Sequence, residues 1–242
     1  MMKRILLLLN SILLATGTTG GALVMRIYFI HGGKRIWLSS FLETAAFPII
    51  LIPLIISHIH NRRRYLHHHH HRNHHHDSFT KPNLISMKPP LFLASAVIGL
   101  LTGLDDYLYA CGVARLPVST FSLIQASHLA FTAVFAFLLV RHKFTAYSVN
   151  AVVLLTVASV VLALRSSGDR PAGESTKQYV IGFVMILAAA ALYGLVLPLM
   201  ELVYKKSKQR ITYSLVMEIQ LVMCFFATML CTVGMIINND FK

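Results

Sequence analysis

Two glutamates lie inside long apolar stretches of this sequence, and each ends the same short pattern. Glu43 closes RIWLSSFLE, residues 35–43, and Glu218 closes RITYSLVME, residues 210–218. In both stretches an Arg, a Ser and the Glu recur every fourth residue, which aligns them on one face of a helix. A carboxylate such as Asp within a membrane span costs about 2.5–3.5 kcal/mol on insertion scales, so it usually faces a cavity or a partner. We therefore interpret Glu43 and Glu218 as candidate proton-coupling residues, with a structural tie to a neighbouring helix as the alternative.

Two further groups of polar residues lie in apolar surroundings. Asp105 and its neighbour Asp106 occur in GLLTGLDDYLYACG, and Ser122, Gln125 and His128 occur in STFSLIQASH. The last three follow one another at intervals of three residues, so a continuous helix places them on one face. Gln and His both donate and accept hydrogen bonds, which suits a heteroaromatic ligand. We predict that Asp105, Ser122, Gln125 and His128 bind substrate; for the Gln and the His, hydrogen bonds between helices remain an equally good interpretation.

A histidine tract forms the remaining group with possible chemistry. Residues 58–79 hold 10 of the 13 histidines, together with several arginines. Such tracts can bind metal ions, yet a metal carrier also needs ligands within its spans, and His128 is the only histidine found there. We expect a solvated basic loop, no resident metal and no cofactor.

The elements that carry these residues are membrane spans. Of the 242 residues, 56% are hydrophobic and 13% are charged, and mean hydropathy is +0.65. A bilayer core requires about 20 apolar residues per helix. Seven segments qualify, namely 5–25, 37–57, 91–111, 117–140, 147–164, 179–200 and 212–236. The sequence therefore predicts an all-α, multispanning membrane protein. It contains no nucleophile–base pattern and no phosphate loop, so we do not expect an enzyme, and it has no aromatic–basic motif for nucleic acid.

Charge in the connections predicts the orientation. Of 22 Lys and Arg residues, 14 fall at the N-terminus, in loop 58–90 or in the connections 141–146 and 201–211, and 8 fall on the opposite side. Lys and Arg are enriched in cytoplasmic loops. We expect a cytoplasmic N-terminus and a cytoplasmic, His-rich loop 58–90.

The two Arg–Ser–Glu stretches also indicate an internal repeat. They are offset by 175 residues and open the second and the seventh predicted span. An offset of five spans inverts the second unit, and inverted repeats are the architecture of many secondary transporters. We predict a first five-helix unit over 1–164, a linker over 165–178 and a partial second unit of two spans over 179–242. Three further spans are then expected to be missing from the second unit.

Long blocks of the sequence resemble one known family. GALVMRIYFIHGGKRIWLSSFLETAAFPII, GLLTGLDDYLYACGVARLPVSTFSLIQASHLAFTAVFAFLLV and LPLMELVYKKSKQRITYSLVMEIQLV are similar to the plant purine permease family of the drug/metabolite transporter superfamily. The resemblance covers nearly the whole chain except residues 59–82. It implies ten helices in two inverted five-helix units, and proton-coupled uptake of adenine and related bases, with cytokinins and some alkaloids as further substrates.

The combined prediction is a proton-coupled secondary transporter for purine-type bases that lacks the last three of ten expected spans and resides in the plasma membrane. Its expected partners are a purine-type substrate, protons and the lipid bilayer. Two alternatives stay open: a truncated, non-transporting relative of the permeases, and a carrier of zinc or another divalent metal.

Overall fold

The computed structural model describes residues 2–71, 87–141, 144–165, 176–207, 209 and 211–240, and these residues form helices joined by short connections. No strand occurs in these ranges, which confirms the all-α prediction. The elements are α1 (Met2–Ile30), α2 (Ile36–Thr44), α3 (Phe47–His71), α4 (Pro89–Arg115), α5 (Val118–Ala126), α6 (His128–Phe135), a π-helical segment (Ala136–Val140), α7 (Ala146–Arg165), α8 (Thr176–Lys206) and α9 (Tyr213–Ile237).

Six helical segments in the described part of the chain are long and apolar enough to cross a membrane. They are Arg4–Ile30, Ile36–Ile59, Pro89–Arg115, Val118–Val140, Lys177–Lys206 and Tyr213–Ile237. They agree with six of the predicted spans, and they confirm a multispanning integral membrane protein. The fifth predicted span, 147–164, is helical as part of α7, but the apolar segment found there, Ala146–Ala158, is shorter. A membrane crossing by α7 stays a prediction.

Helix α4 lies at the centre and packs along both α8 and α9. Its contact with α9 depends on Gly99 and Gly103: a Cβ on Gly103 would lie 3.0 Å from the Cα of Ala227, and one on Gly99 would meet the backbone of Met223. Nearer its other end, Gly112 gives room to the side chain of Ile186 on α8. Small residues let membrane helices approach closely, so these glycines bring the helices that carry the site into contact.

Two apolar cores form around α4, one near each of its ends. The core near Arg115 joins α1, α4, α5 and α8 through Met25, Ala110, Val113, Leu116, Phe121, Ile124 and Ile186. The core near Pro89 joins α4, α8 and α9 through Leu91, Ile98, Val196, Leu215, Ile219 and Met223. Arg26 of α1 donates hydrogen bonds to the carbonyls of Val113 and Ala114, at 2.7 and 3.2 Å. Those carbonyls lie in the last turn of α4, where no intrahelical donor reaches them.

The second predicted span, which contains Pro48, is broken. Helix α2 ends at Thr44, two turn residues follow, and α3 begins at Phe47. Pro48 has no N–H and so cannot donate to the carbonyl of Thr44, four residues earlier. The hydroxyl of Thr228 on α9 lies 3.0 Å from this carbonyl and donates to it instead. A tertiary contact therefore stabilises the break immediately after Glu43.

The fourth predicted span is also interrupted, which we did not predict. Helix α5 ends at Ala126 and α6 begins at His128, with a turn at Ser127. Here the N–H groups of Ser127 and Ala130 bond to carbonyls three residues back, at 3.0 Å each, which is the tighter 3₁₀ pattern. The expected continuous face of Ser122, Gln125 and His128 is therefore interrupted just before the His.

Several predictions concern residues outside the described ranges. Helix α3 continues to His71, but the side chains of the histidine tract and residues 72–86 lie outside the described part, as does most of the linker 165–178. The inverted repeat and its unit boundaries stay predictions. Helices α4, α8 and α9 pack together, so the two proposed units share one core.

Candidate functional site

Three carboxylates from two helices form the acidic side of the site. Glu43 of α2 lies within electrostatic range of both Asp105 and Asp106 of α4. Asp105 is 5% exposed and Asp106 is partly buried. The sequence placed Glu43 and Asp105 in separate groups of polar residues, whereas packing brings them to one cluster.

Contacts between α2 and α4 hold this acidic cluster in position. The hydroxyl of Ser40 on α2 lies 3.3 Å from the carbonyl oxygen of Asp106. One turn away, the rings of Trp37 and Tyr107 stack with centroids 3.8 Å apart. Trp37 also packs on Gly234 of α9, where a side chain would collide with the indole. The aromatic stacking and the serine contact join the same two helices. They therefore hold α2, which carries Glu43, against α4, which carries the two aspartates.

Glu43 also lines a cavity of about 390 Å³ between α1 and α2. Its walls are mostly apolar, with Val24 and Met25 from α1 and Leu38 and Leu42 from α2, and its polar groups include Ser39 and Glu43. The side chain of Glu43 is exposed at this cavity, and its role in proton coupling stays a prediction.

Gln125, His128 and Tyr193 form the second side of the site. The Nδ1 atom of His128 lies 2.7 Å from the backbone carbonyl oxygen of Gln125. A carbonyl only accepts hydrogen bonds, so Nδ1 carries the proton and donates, and in the neutral ring Nε2 is an acceptor. The edge of the imidazole meets the ring of Tyr193 on α8, with centroids 5.1 Å apart and the planes at 82°.

Gly194 makes this contact between α6 and α8 possible. A Cβ at this position would lie 2.6 Å from the Cβ of Phe131 and 3.1 Å from the carbonyl oxygen of His128. The sequence reasoning did not identify Tyr193. The signal available for it was an aromatic residue beside a glycine within an apolar span, in ALYGLVLP.

Tyr193 connects the two sides of the site. It contacts His128 directly, and it lies within electrostatic range of Asp105 and Asp106. The ring of Tyr193 therefore contacts the imidazole on α6 and is near enough to the aspartates on α4 to feel their charge.

Two acceptor atoms of this site have no hydrogen-bond partner in the described part of the chain. Among the described residues, three buried side-chain oxygens lack a hydrogen-bond partner. Gln125 Oε1 and Asp105 Oδ1 belong to predicted substrate residues, and the third is Asp240 Oδ2. Buried polar groups without partners are rare, and an absent water, ion or ligand is a common reason for them. Both atoms are available to N–H donors of a bound molecule.

The remaining predicted site residues lie elsewhere. The side chain of Ser122 is exposed on α5, and its hydroxyl donates to the carbonyl of Ser119 at 3.2 Å. Glu218 is 6% exposed on α9. On the same helix, Thr228 contacts Thr44, the neighbour of Glu43. Glu218 lies ten residues before Thr228, which is about 15 Å of helix. The structure therefore does not bring Glu218 to the acidic cluster.

The described residues include no group of three or more His, Cys, Asp and Glu side chains that could hold a metal ion. The three cysteines are free thiols, with Cys111 and Cys231 buried and Cys224 partly buried.

Comparison with known proteins finds relatives over nearly the whole chain. A family model described as purine nucleobase transmembrane transport matches residues 5–242. The chain is similar to two proteins of Arabidopsis thaliana over 241 residues, all of its length: it is 55% identical to Purine permease 2 and 49% identical to Purine permease 3. It covers 64% and 66% of those two proteins, so it spans slightly less than two thirds of their length. It is also 33% identical to Probable purine permease 11 over 238 residues, or 59% of that protein. The match over nearly the full chain confirms the resemblance found in the sequence: the chain belongs to the purine permease family of membrane transporters.

Proposed function

We propose that this chain binds a purine-type base between α4, α5, α6 and α8, as part of a proton-coupled secondary transporter. The observation that carries the proposal is the pair of buried acceptors, Gln125 Oε1 and Asp105 Oδ1, which have no hydrogen-bond partner in the described part of the chain. The names of the relatives and of the family model support the same substrate class.

The chemistry of these groups matches a purine base such as adenine. Adenine offers N–H donors on its exocyclic amine and its imidazole ring, acceptors on its ring nitrogens, and two aromatic faces. The oxygen of Gln125 and Nε2 of His128 accept from the donors, and the amide nitrogen of Gln125 donates to a ring nitrogen. Tyr193 supplies an aromatic surface against which a planar base packs.

The acidic cluster supplies the proton site in this proposal. Three carboxylates within electrostatic range repel one another when all are ionised, and a proton on one of them relieves this repulsion. We propose Glu43 for this role, because it faces a cavity and borders the break between α2 and α3. Glu218, the other predicted proton residue, then acts at a separate place on α9.

The broken spans provide the points at which the site can change its access. Discontinuous helices at the substrate site are common in secondary transporters, where one group of helices rocks or closes against the other. Here the breaks fall beside Glu43 and between Gln125 and His128. We further propose a cytoplasmic N-terminus and residence in the plasma membrane, on the basis of the charge distribution and the family.

Adenine binding by the purified chain tests the proposal. We expect saturable binding of radiolabelled adenine in detergent, displaced by unlabelled purines. Gln125→Leu keeps most of the side-chain volume but removes both hydrogen-bonding atoms, and we expect adenine affinity to fall by roughly tenfold, the effect of one lost hydrogen bond of ~1.4 kcal/mol. The same substitution should lower the affinity for unsubstituted purine by less, because this ligand lacks the exocyclic amine.

Gln220→Leu is the matched control, because Gln220 is exposed on α9 and interacts with Cys224 of its own helix. Its affinity for adenine should equal that of the unmodified chain. Absence of saturable adenine binding, or an equal loss in both variants, would contradict the proposed site. Thermal unfolding of each variant distinguishes a lost contact from a lost fold.

A further inference from the structure

A second cavity lies at the far end of α4, away from the substrate site. It has a volume of about 430 Å³ and lies between the first turns of α4 and the last turn of α8. Leu91, which lines it, precedes Asp105 by 14 residues, or about 21 Å along the helix. Its size falls in the range of ~300–1,000 Å³ that is typical of ligand pockets.

The polar part of this cavity is basic. Lys88 comes just before α4, and Lys206 is the last residue of α8; both line the cavity and both are exposed. No ion pair engages either lysine in the part of the chain that the structure describes. Lys205, by contrast, pairs with Glu201 at 2.9 Å. The ammonium groups of Lys88 and Lys206 are therefore available to bind an anion at this opening, whereas that of Lys205 is already paired.

The inner wall of the cavity is apolar. It is formed by Leu91 and Ala94 of α4 and by Leu202 and Val203 of α8. Gln209 and Ser207 complete the polar opening, and Gln209 Oε1 accepts a hydrogen bond from the backbone N–H of Lys88 at 3.3 Å. This contact joins the segment after α8 to the start of α4 and closes one side of the opening.

Its place in the fold puts the opening at a membrane boundary. The cavity is formed where the apolar spans Pro89–Arg115 and Lys177–Lys206 begin and end. Lipid headgroups occupy this level, and the acyl chains begin just below it. Basic pockets between transmembrane helices at such a boundary bind anionic headgroups.

We propose that this cavity is a binding site for an anionic phospholipid. The headgroup phosphate lies between Lys88 and Lys206, and an acyl chain follows the apolar wall along Leu91 and Val203. The wall selects a lipid over free phosphate, because inorganic phosphate would leave the apolar surface uncovered. The bound lipid bridges α4 and α8, the helices that carry Asp105 and Tyr193.

Native mass spectrometry of the delipidated chain in detergent tests this site. Phosphatidylglycerol, phosphatidylcholine and inorganic phosphate are titrated separately. We expect tight binding of one phosphatidylglycerol, and a loss of affinity on the order of tenfold or more in the double variant Lys88→Gln, Lys206→Gln, since each basic residue near an anionic headgroup contributes substantially. Ala94→Trp fills the apolar part without changing charge and should also displace the lipid.

Two single variants serve as matched controls. Lys205→Gln removes a positive charge next to the site, and Lys177→Gln removes one at the other end of α8; both should bind phosphatidylglycerol as the unmodified chain does. Equal losses in the controls, or equal affinity for phosphatidylcholine, would overturn the proposal. Lysine-dependent binding of inorganic phosphate with the affinity of the lipid would also overturn it, in favour of a soluble anion.

Discussion

At the scale of single residues, the site depends on polar groups whose partners come from other helices. Glu43 lies within electrostatic range of Asp105 and Asp106, and Tyr193 lies within electrostatic range of both aspartates and contacts His128. In the proposed binding mode, a ligand at the acceptors of Gln125 and Asp105 is close to groups that can exchange protons. Such proximity lets substrate binding and proton binding influence each other, and this influence is reciprocal at equilibrium.

The first prediction concerns Glu43. In a symporter, proton binding favours substrate binding, so adenine affinity of the unmodified chain should rise as pH falls. Glu43→Gln fixes a neutral side chain of the same shape, so its affinity should stay near the acid-side value at every pH. In proteoliposomes the variant should also lose accumulation driven by a pH gradient but retain exchange of preloaded adenine.

Glu201→Gln is the control for this prediction, because Glu201 pairs with Lys205 on the same helix, far along the chain from the acidic cluster. It should keep the pH dependence of the unmodified chain. If Glu43→Gln keeps that dependence as well, Glu43 does not carry the proton, and Asp105→Asn becomes the next variant to measure.

At the scale of elements, a proline determines where the second span breaks, and α9 stabilises the break. Pro48 removes the donor for the carbonyl of Thr44, and Thr228 supplies another. The hydroxyl of Thr228 also lies 2.7 Å from the carbonyl of Cys224, so its one proton is shared between a contact within α9 and the contact across to α2. The break beside Glu43 is thus connected to α9 by a polar contact.

We predict that Thr228→Val destabilises the protein. Valine keeps the shape but leaves the buried carbonyl of Thr44 without a donor, a loss of about 1–3 kcal/mol. Thermal unfolding of the purified chain should show a lower midpoint, and Thr228→Ser should restore it. Thr232→Val is the matched control, since the Thr232 hydroxyl donates within its own helix, to the carbonyl of Thr228 at 2.7 Å. Equal midpoints for Thr228→Val and Thr232→Val would rule out a stabilising role for the contact with α2.

At the scale of the whole molecule, helix packing constrains the orientation that charge predicts. The start of α4 and the end of α8 line one cavity, so the loop before α4 and the loop after α8 emerge on the same side. From the charge distribution we predict that this side is cytoplasmic and that the connection between α1 and α2 lies on the other side.

Thiol labelling in intact cells tests this orientation. In a variant whose three cysteines are replaced, single cysteines are introduced at Ser78, Ser207 or His31. Cysteines at Ser78 and Ser207 should react with a membrane-impermeant reagent only after permeabilisation, and one at His31 should react without it. Labelling of Ser78→Cys in intact cells would reverse the orientation. Opposite results for Ser78→Cys and Ser207→Cys would contradict the shared side.

The sequence alone determined the class of protein, the family, six spans and the polar residues within them, because hydropathy and residue type are local properties. It offered Glu43, Asp105, Gln125 and His128 as candidate site residues, and these assignments stay predictions. Tertiary structure decided which of these residues meet. Gly99 and Gly103 permit close contact between α4 and α9, and Gly194 permits the approach of α6 and α8 that brings His128 to Tyr193. It also interrupted the fourth span at Ser127 and left Glu218 about 15 Å of helix from the level of Glu43. Helical periodicity predicts the face on which a residue lies, but the neighbour of that face depends on how distant segments pack, which no local pattern contains.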